Sequence, residues 1–196
     1  MMQFTMSGTM LRFDETTLRF SFSRDGATWS GCDGIEPQLT REDRSFSFAG
    51  AATVTHERIE TGTGVGVRSV FAGFAGADYA FETYIWIERS SGDVLCEWVP
   101  LRECGAEPRI DRVLWPAPLS FDHADAHDMT LITHEQGVMI PNNWPTEVGT
   151  DAVSFGGRFE TAGGYMPWFA QLRSDGHAYI AICETPWNAG YDIDHP

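Results

Sequence analysis

Apolar and polar residues alternate with period two along most of this chain, and helical periodicity is hard to find. In TTLRFSF, Leu18, Phe20 and Phe22 fall on one face and Arg19 and Ser21 on the other, and Arg24, Asp25 and Gly26 follow as a hairpin signal. RSFSFAG repeats the pattern with Phe46 and Phe48, and VGVRSVFAGF reads as another strand. The clearest unit is YAFETYIWIER, a turn at Ser90 to Asp93, and DVLCEWVPLRE. Its first strand sends Phe81, Thr83, Ile85 and Ile87 one way and Glu82, Tyr84, Trp86 and Glu88 the other. Two aromatics on the more polar face predict that something covers that face or binds to it.

Further strands are predicted at RIDRVLW, MTLIT, GVMIP, AVSFGGRFE, PWFAQLR and HAYIAICE, the last two joined by a turn at Ser174, Asp175 and Gly176. The stretch from Ser120 to Asp128 breaks the rhythm, and Asn142 to Asp151 reads as a loop. With 20 Gly and 10 Pro supplying frequent turns, the pattern predicts an all-β protein of antiparallel sheets packed as a large sandwich. A chain of 196 residues without a low-complexity linker or fixed-period repeat is expected to form one domain over residues 1–196.

Charge narrows the partners. Against 28 acidic residues stand 13 basic ones, a formal charge of -15, which repels nucleic acid and anionic lipid. All the basic residues are Arg, so Schiff-base chemistry and a phosphate-binding lysine are excluded. Cys32, Cys96, Cys104 and Cys183 show no C-x-x-C spacing, and Cys96 and Cys183 sit in apolar alternating runs as small buried hydrophobes do. The N-terminal MMQFTMSGTMLRF lacks the features of a secretory signal, and no apolar run is long enough to span a membrane. These features favour a reduced, cytoplasmic setting.

Candidate chemistry is sparse. FDHADAHD places His123 and His127 four apart among Asp122, Asp125 and Asp128, a donor set suited to zinc or another divalent ion and equally to a solvated acidic loop. No cofactor is otherwise implied. Glu184, Asp192 and Asp194 supply carboxylates near His195, though a glycosidase needs two acids at a set separation that spacing alone does not provide. Trp144, Trp168 and Trp187 each adjoin Pro, close to Asn142, Asn143, Tyr165 and Asn188. Indole faces with amides and acids suit a sugar, and Trp beside Pro also suits the plugged end of a core. GTGVG precedes a strand-like run, so it is not a dinucleotide fingerprint, and there is no G-x-S-x-G.

RVLWPAPLSF, HEQGVMIPNNWP and GGYMPWFAQLRSDGHAYIAICETPWNAGYDIDHP carry a resemblance, strongest from Arg109 to Pro196. In their order of WP, QG-x-x-IP, MPWF-x-Q and ETP they resemble the N-terminal β-supersandwich of large glycoside hydrolases related to the endo-α-N-acetylgalactosaminidases. The resemblance implies a galactose-mutarotase-like supersandwich ahead of a (β/α)8 barrel that bears the nucleophile and the acid/base, so no catalytic residue is expected here. It also implies a sandwich incomplete at its C-terminus, with a homo-oligomer as one way to cover an exposed sheet edge.

Two functions follow as expectations. The first is a sandwich region that supports a catalytic barrel and contacts carbohydrate through Asn142, Trp144, Tyr165, Trp168, Glu184, Trp187 and Asp192. The second is a stand-alone sugar-binding or mutarotase-like protein with Glu184 and His177 or His134 as its acid and base. A non-enzymatic assembly module comes third.

Overall fold

The computed structural model describes residues 1–31, 34–75, 77–102, 110–120, 125–133, 137–141, 153–158, 167–184 and 190–195, with residues 77, 102, 120, 153–158 and 190–195 described by their backbone. The described residues contain strands, one 3-10 turn at Phe48–Gly50 and no α-helix. They fall into two compact units, Met1–Phe121 and Asp122–Pro196. The large sandwich expected from the alternation, and the supersandwich implied by resemblance, are not what forms: the strands divide among five separate small sheets. Alternation specifies which face of a strand is buried, and small twisted sheets satisfy it as well as one broad pair.

Unit one holds three sheets. The first is a meander of β1 (Met2–Met6), β2 (Thr9–Phe13), β3 (Phe20–Arg24) and β4 (Ala27–Gly31). Its turns at Ser7-Gly8 and Asp25-Gly26 have both central residues at positive φ, the mirror-image turn whose twist matches that of the strands it joins. A second sheet pairs β5 (Gln38–Arg41) with β6 (Arg44–Ser47). The third and largest is built from β7 (Thr53–Glu60), β8 (Gly64–Phe74), β9 (Ala77–Glu88) and β10 (Val94–Arg102), in the order β10-β9-β8-β7. Then β11 (Arg112–Leu114) joins β5, and β12 (Leu119–Ser120) joins β4.

All three sheets contribute to one core. Phe4, Leu11 and Phe13 come from the first, Leu39 from the second, and Val67, Phe71, Phe81 and Ile85 from the third. As the alternation predicts, Phe81, Thr83, Ile85 and Ile87 all point inward. Phe48, on the 3-10 turn, is fully buried against Phe81, Phe71 and Trp115, with ring centroids 4.6, 5.2 and 5.8 Å away. Hydrogen bonds also tie the first sheet to the β9–β10 turn. Ser7 Oγ donates to the Arg89 carbonyl and Thr9 Oγ1 to that of Gly92, both at 2.6 Å, and Arg24 Nη1 donates to that of Ser91 at 3.0 Å.

Leu18 departs from expectation. It is buried, but at φ +58° it closes a loop in which the Asp14 side chain accepts from the backbone N–H of Thr16 and Thr17, and β3 starts only at Phe20. The Asp14 carboxyl is held below its usual range by those same donors.

The described residues of unit two form two sheets. In one, β13 (Met129–Ile132), β14 (Val138–Pro141), β16 (Trp168–Leu172) and β17 (Ala178–Ile182) are ordered β14-β13-β16-β17. In the other, β15 (Val153–Arg158) pairs with β18 (Gly190–His195). The last strand forms in a segment for which alternation predicted none. Its polar composition hid a ladder that main-chain groups suffice to make.

Candidate functional site

Among the described residues, a set of interacting ionisable groups lies on the outer face of the β8–β9 ladder. Direct pairing of Arg68 with Tyr84 and Glu57 puts the guanidinium between neighbouring strands. Arg68 Nη1 donates to Glu57 Oε1 at 2.6 Å and its Nη2 to Glu82 Oε1, while Tyr84 Oη donates to Glu82 Oε2 at 2.5 Å. Both oxygens of the buried Glu82 carboxylate are thereby occupied. Arg68, then Tyr84, hold the Glu82 carboxyl below the usual range, and Glu82 in turn raises Arg68 and Tyr84.

A carboxylate held ionised by two donors is poorly suited to give up a proton as a general acid. The cluster therefore reads as a strut across three strands. Next to it, Trp86 Nε1 donates to Glu97 Oε1 at 2.8 Å, and the indole lies against Gly64 of β8. The two aromatics on this face thus pack on their own sheet.

Glu82→Gln is expected to lower stability by about 1–2 kcal/mol, less than the full cost of orphaning a buried charge because Glu57 still faces Arg68. Since the folded Glu82 carboxyl sits below its unfolded value near 4.5, its contribution is present above about pH 4.5 and lost as pH falls through the folded value. Urea unfolding at pH 7 and pH 3 should show a mutant penalty that shrinks on acidification.

Cys96, on the inner face of β10, behaves as expected of a small hydrophobe. It is only partly covered as a residue, yet burial, with the charge of Glu97 adding, pushes its thiol up to about 12. Below about pH 9 the thiol is protonated folded and unfolded alike; above it the unfolded chain ionises first, so stability falls by up to about 1.4 kcal/mol per pH unit. Cys96→Val should flatten that alkaline slope in urea titrations between about pH 9 and pH 11.

In unit two the loop before β13 and the β16–β17 turn form a matched pair. Asp125 Oδ1 accepts from the His127 backbone N–H and meets its Nδ1, both at 2.8 Å, and Asp175 Oδ1 does the same for His177 at 3.0 Å. The Ser174 backbone N–H donates to the buried Asp128 at 2.8 Å and joins the two loops. Backbone donation from His177, followed by Arg173, lowers the Asp175 carboxyl to about 2, and His127 lowers Asp125 in the same way. Among the described residues, no three His, Cys, Asp or Glu side chains gather to hold a metal. His123 lies outside the described residues, and Asp125 and His127 engage each other.

Of the residues expected to meet carbohydrate, Asn142, Trp144, Tyr165 and Trp187 lie outside the described residues, and Asp192 is described only by its place in β18. Trp168 and Glu184 come to the same end of the four-stranded sheet, because Trp168 pairs with Ile182, two residues before the exposed Glu184. His177 sits at the opposite end of β17 from Glu184, about 20 Å along extended chain, and His134 is outside the described residues. Among the described residues, no helix is long and apolar enough to cross a membrane.

No family model matches the chain, and no match was found among curated proteins. Solved structures do match: over its whole length the chain is similar to one part of a glycoside hydrolase. That enzyme is the α-N-acetylgalactosaminidase NagBb from Bifidobacterium bifidum, in its Gal-NHAc-DNJ complex (90% identity, TM-score 0.90), its GalNAc complex (89%, 0.89) and its ligand-free form (84%, 0.85). In each, all of this chain is covered and 31% of the enzyme chain.

Proposed function

We propose that this chain is a non-catalytic portion of a glycoside hydrolase that removes α-linked N-acetylgalactosamine, a β-sheet region that braces the catalytic barrel carried by the rest of the polypeptide. One observation carries the reading: identity of 84–90% along the entire chain to an enzyme solved with GalNAc bound. The engaged carboxylates of the described residues support it, since Glu82 is committed to Arg68 and Tyr84, and Asp125 and Asp175 to their own loops.

The test is to graft residues 1–196 in place of the matching segment of NagBb and assay hydrolysis of an aryl α-N-acetylgalactosaminide. The graft is expected to keep activity within about tenfold of the parent, because the 10–16% of differing positions leave the fold intact and most surface changes cost under about 0.5 kcal/mol. The 196 residues alone are expected to show no turnover. Hydrolysis by the isolated chain that disappears in Glu184→Gln would refute the assignment.

A further inference from the structure

The register of the four-stranded sheet in unit two makes one of its faces wholly apolar. Residues directly opposite each other share a face, so Met139, Leu131, Ala170 and Ile180 form one row across all four strands. Trp168 and Ile182 make the next row on that side, and Pro141, Met129, Leu172 and Ala178 the one before. None of these positions bears a charge or a hydrogen-bonding side chain other than the indole of Trp168.

The opposite face is the covered one, with Ile132, Ile140, Thr130 and Gln171 all buried. On the apolar face the small Ala170 is buried, while Met139, Ile180 and Ile182 around it stand 52, 57 and 67% exposed. The edge strand β17 adds to this: AYIAI contains no charge, no Pro and no bulge, none of the devices that keep an open edge from pairing. A contiguous apolar patch of this kind marks an interaction surface.

We infer that this face is where the rest of the hydrolase polypeptide docks, its chain packing over Met139, Ile180 and Ile182 and adding to the edge of β17 that no described strand pairs. The inference rests on the proposed function for the identity of the occupant. This chain aligns with only 31% of a single longer polypeptide, so an occupant tethered at high effective concentration is at hand. A second copy is the poorer candidate, because two chains of formal charge -15 repel.

Carbene footprinting of the NagBb graft, read at Ile180 and Ile182 by mass spectrometry against the urea-unfolded graft, tests the docking. Labelling is expected to fall at least tenfold on folding and to be independent of protein concentration. Labelling that stays within twofold of the unfolded level overturns the inference, as does protection that appears only as concentration rises, the mark of a second copy. A graft that fails to fold where the parent enzyme folds counts against it as well, since the face would not fit the remainder. Aryl-glycoside hydrolysis by the same sample reports separately on function: an inactive graft with a protected face sinks the assigned activity and leaves the docking surface standing.

Discussion

Gly66→Ala is expected to destabilise the chain by about 3 kcal/mol or more. A Cβ at Gly66 would stand 2.2 Å from the Ile85 carbonyl oxygen and 2.4 Å from Trp86 Cα. Both are backbone atoms of the neighbouring strand, so no side-chain rotation relieves the clash. The strands must part at the centre of the largest sheet, where Val65, Val67, Ile85 and Ile87 form the core immediately behind. Gly64 is under the same constraint, with Ile87 O at 2.4 Å and Trp86 Cε3 at 2.3 Å. Thermal and urea melts should show Gly66→Ala far below the parent, whereas Gly62→Ala, which meets nothing within 4 Å, should shift stability by less than about 0.5 kcal/mol. Equal shifts for the two would refute the close-approach explanation.

Phe48→Ala is expected to cost about 3–5 kcal/mol, as deletions of a fully buried aromatic ring do. Phe48 is carried on the short turn that follows β6, yet it reaches Phe71 and Phe81 of the largest sheet and stacks on Trp115 at an interplanar angle of 19°. Its removal leaves a void bounded by residues that belong to different elements, so they cannot close in together. Phe48→Leu keeps most of the volume and should cost less than half as much. Denaturant titrations followed by tryptophan fluorescence would measure both, and an alanine penalty under about 1 kcal/mol would show that the ring does not couple these elements.

The inward faces were legible from sequence wherever a strand is long and strongly alternating, as in β8, β9 and β10. Strands rich in polar residues were not. β7 carries His56, Glu57 and Arg58 in succession, with Arg58 stacked 5.0 Å over the Phe4 ring, a use of a charged side chain that hydropathy does not reveal. β18 is a similar case, being held by ladder pairing with β15.

The Arg68–Glu82–Tyr84 cluster was hidden by a bulge. Counting back from the turn that pairs Phe74 with Ala77 sets Arg68 opposite Thr83, whose side chain is inward. Asp78 and Tyr79 of β9 stand opposite the single Gly73 of β8, at φ +74°, and this extra residue shifts the register and brings Arg68 opposite Tyr84 on the outer face. Sheet membership was illegible for a related reason: alternation fixes each strand's facing, while its partners depend on turns and bulges that spacing under-determines.

The hydrogen bonds that Ser7 and Thr9 make to the β9–β10 turn span 82 and 83 residues. On a ribosome adding roughly 5–20 residues per second, the first hairpin is made on the order of 4–16 s before its anchor exists. Through that interval Phe4, Leu11 and Phe13 have no third sheet to rest on, and they are the segment a nascent-chain chaperone would meet first.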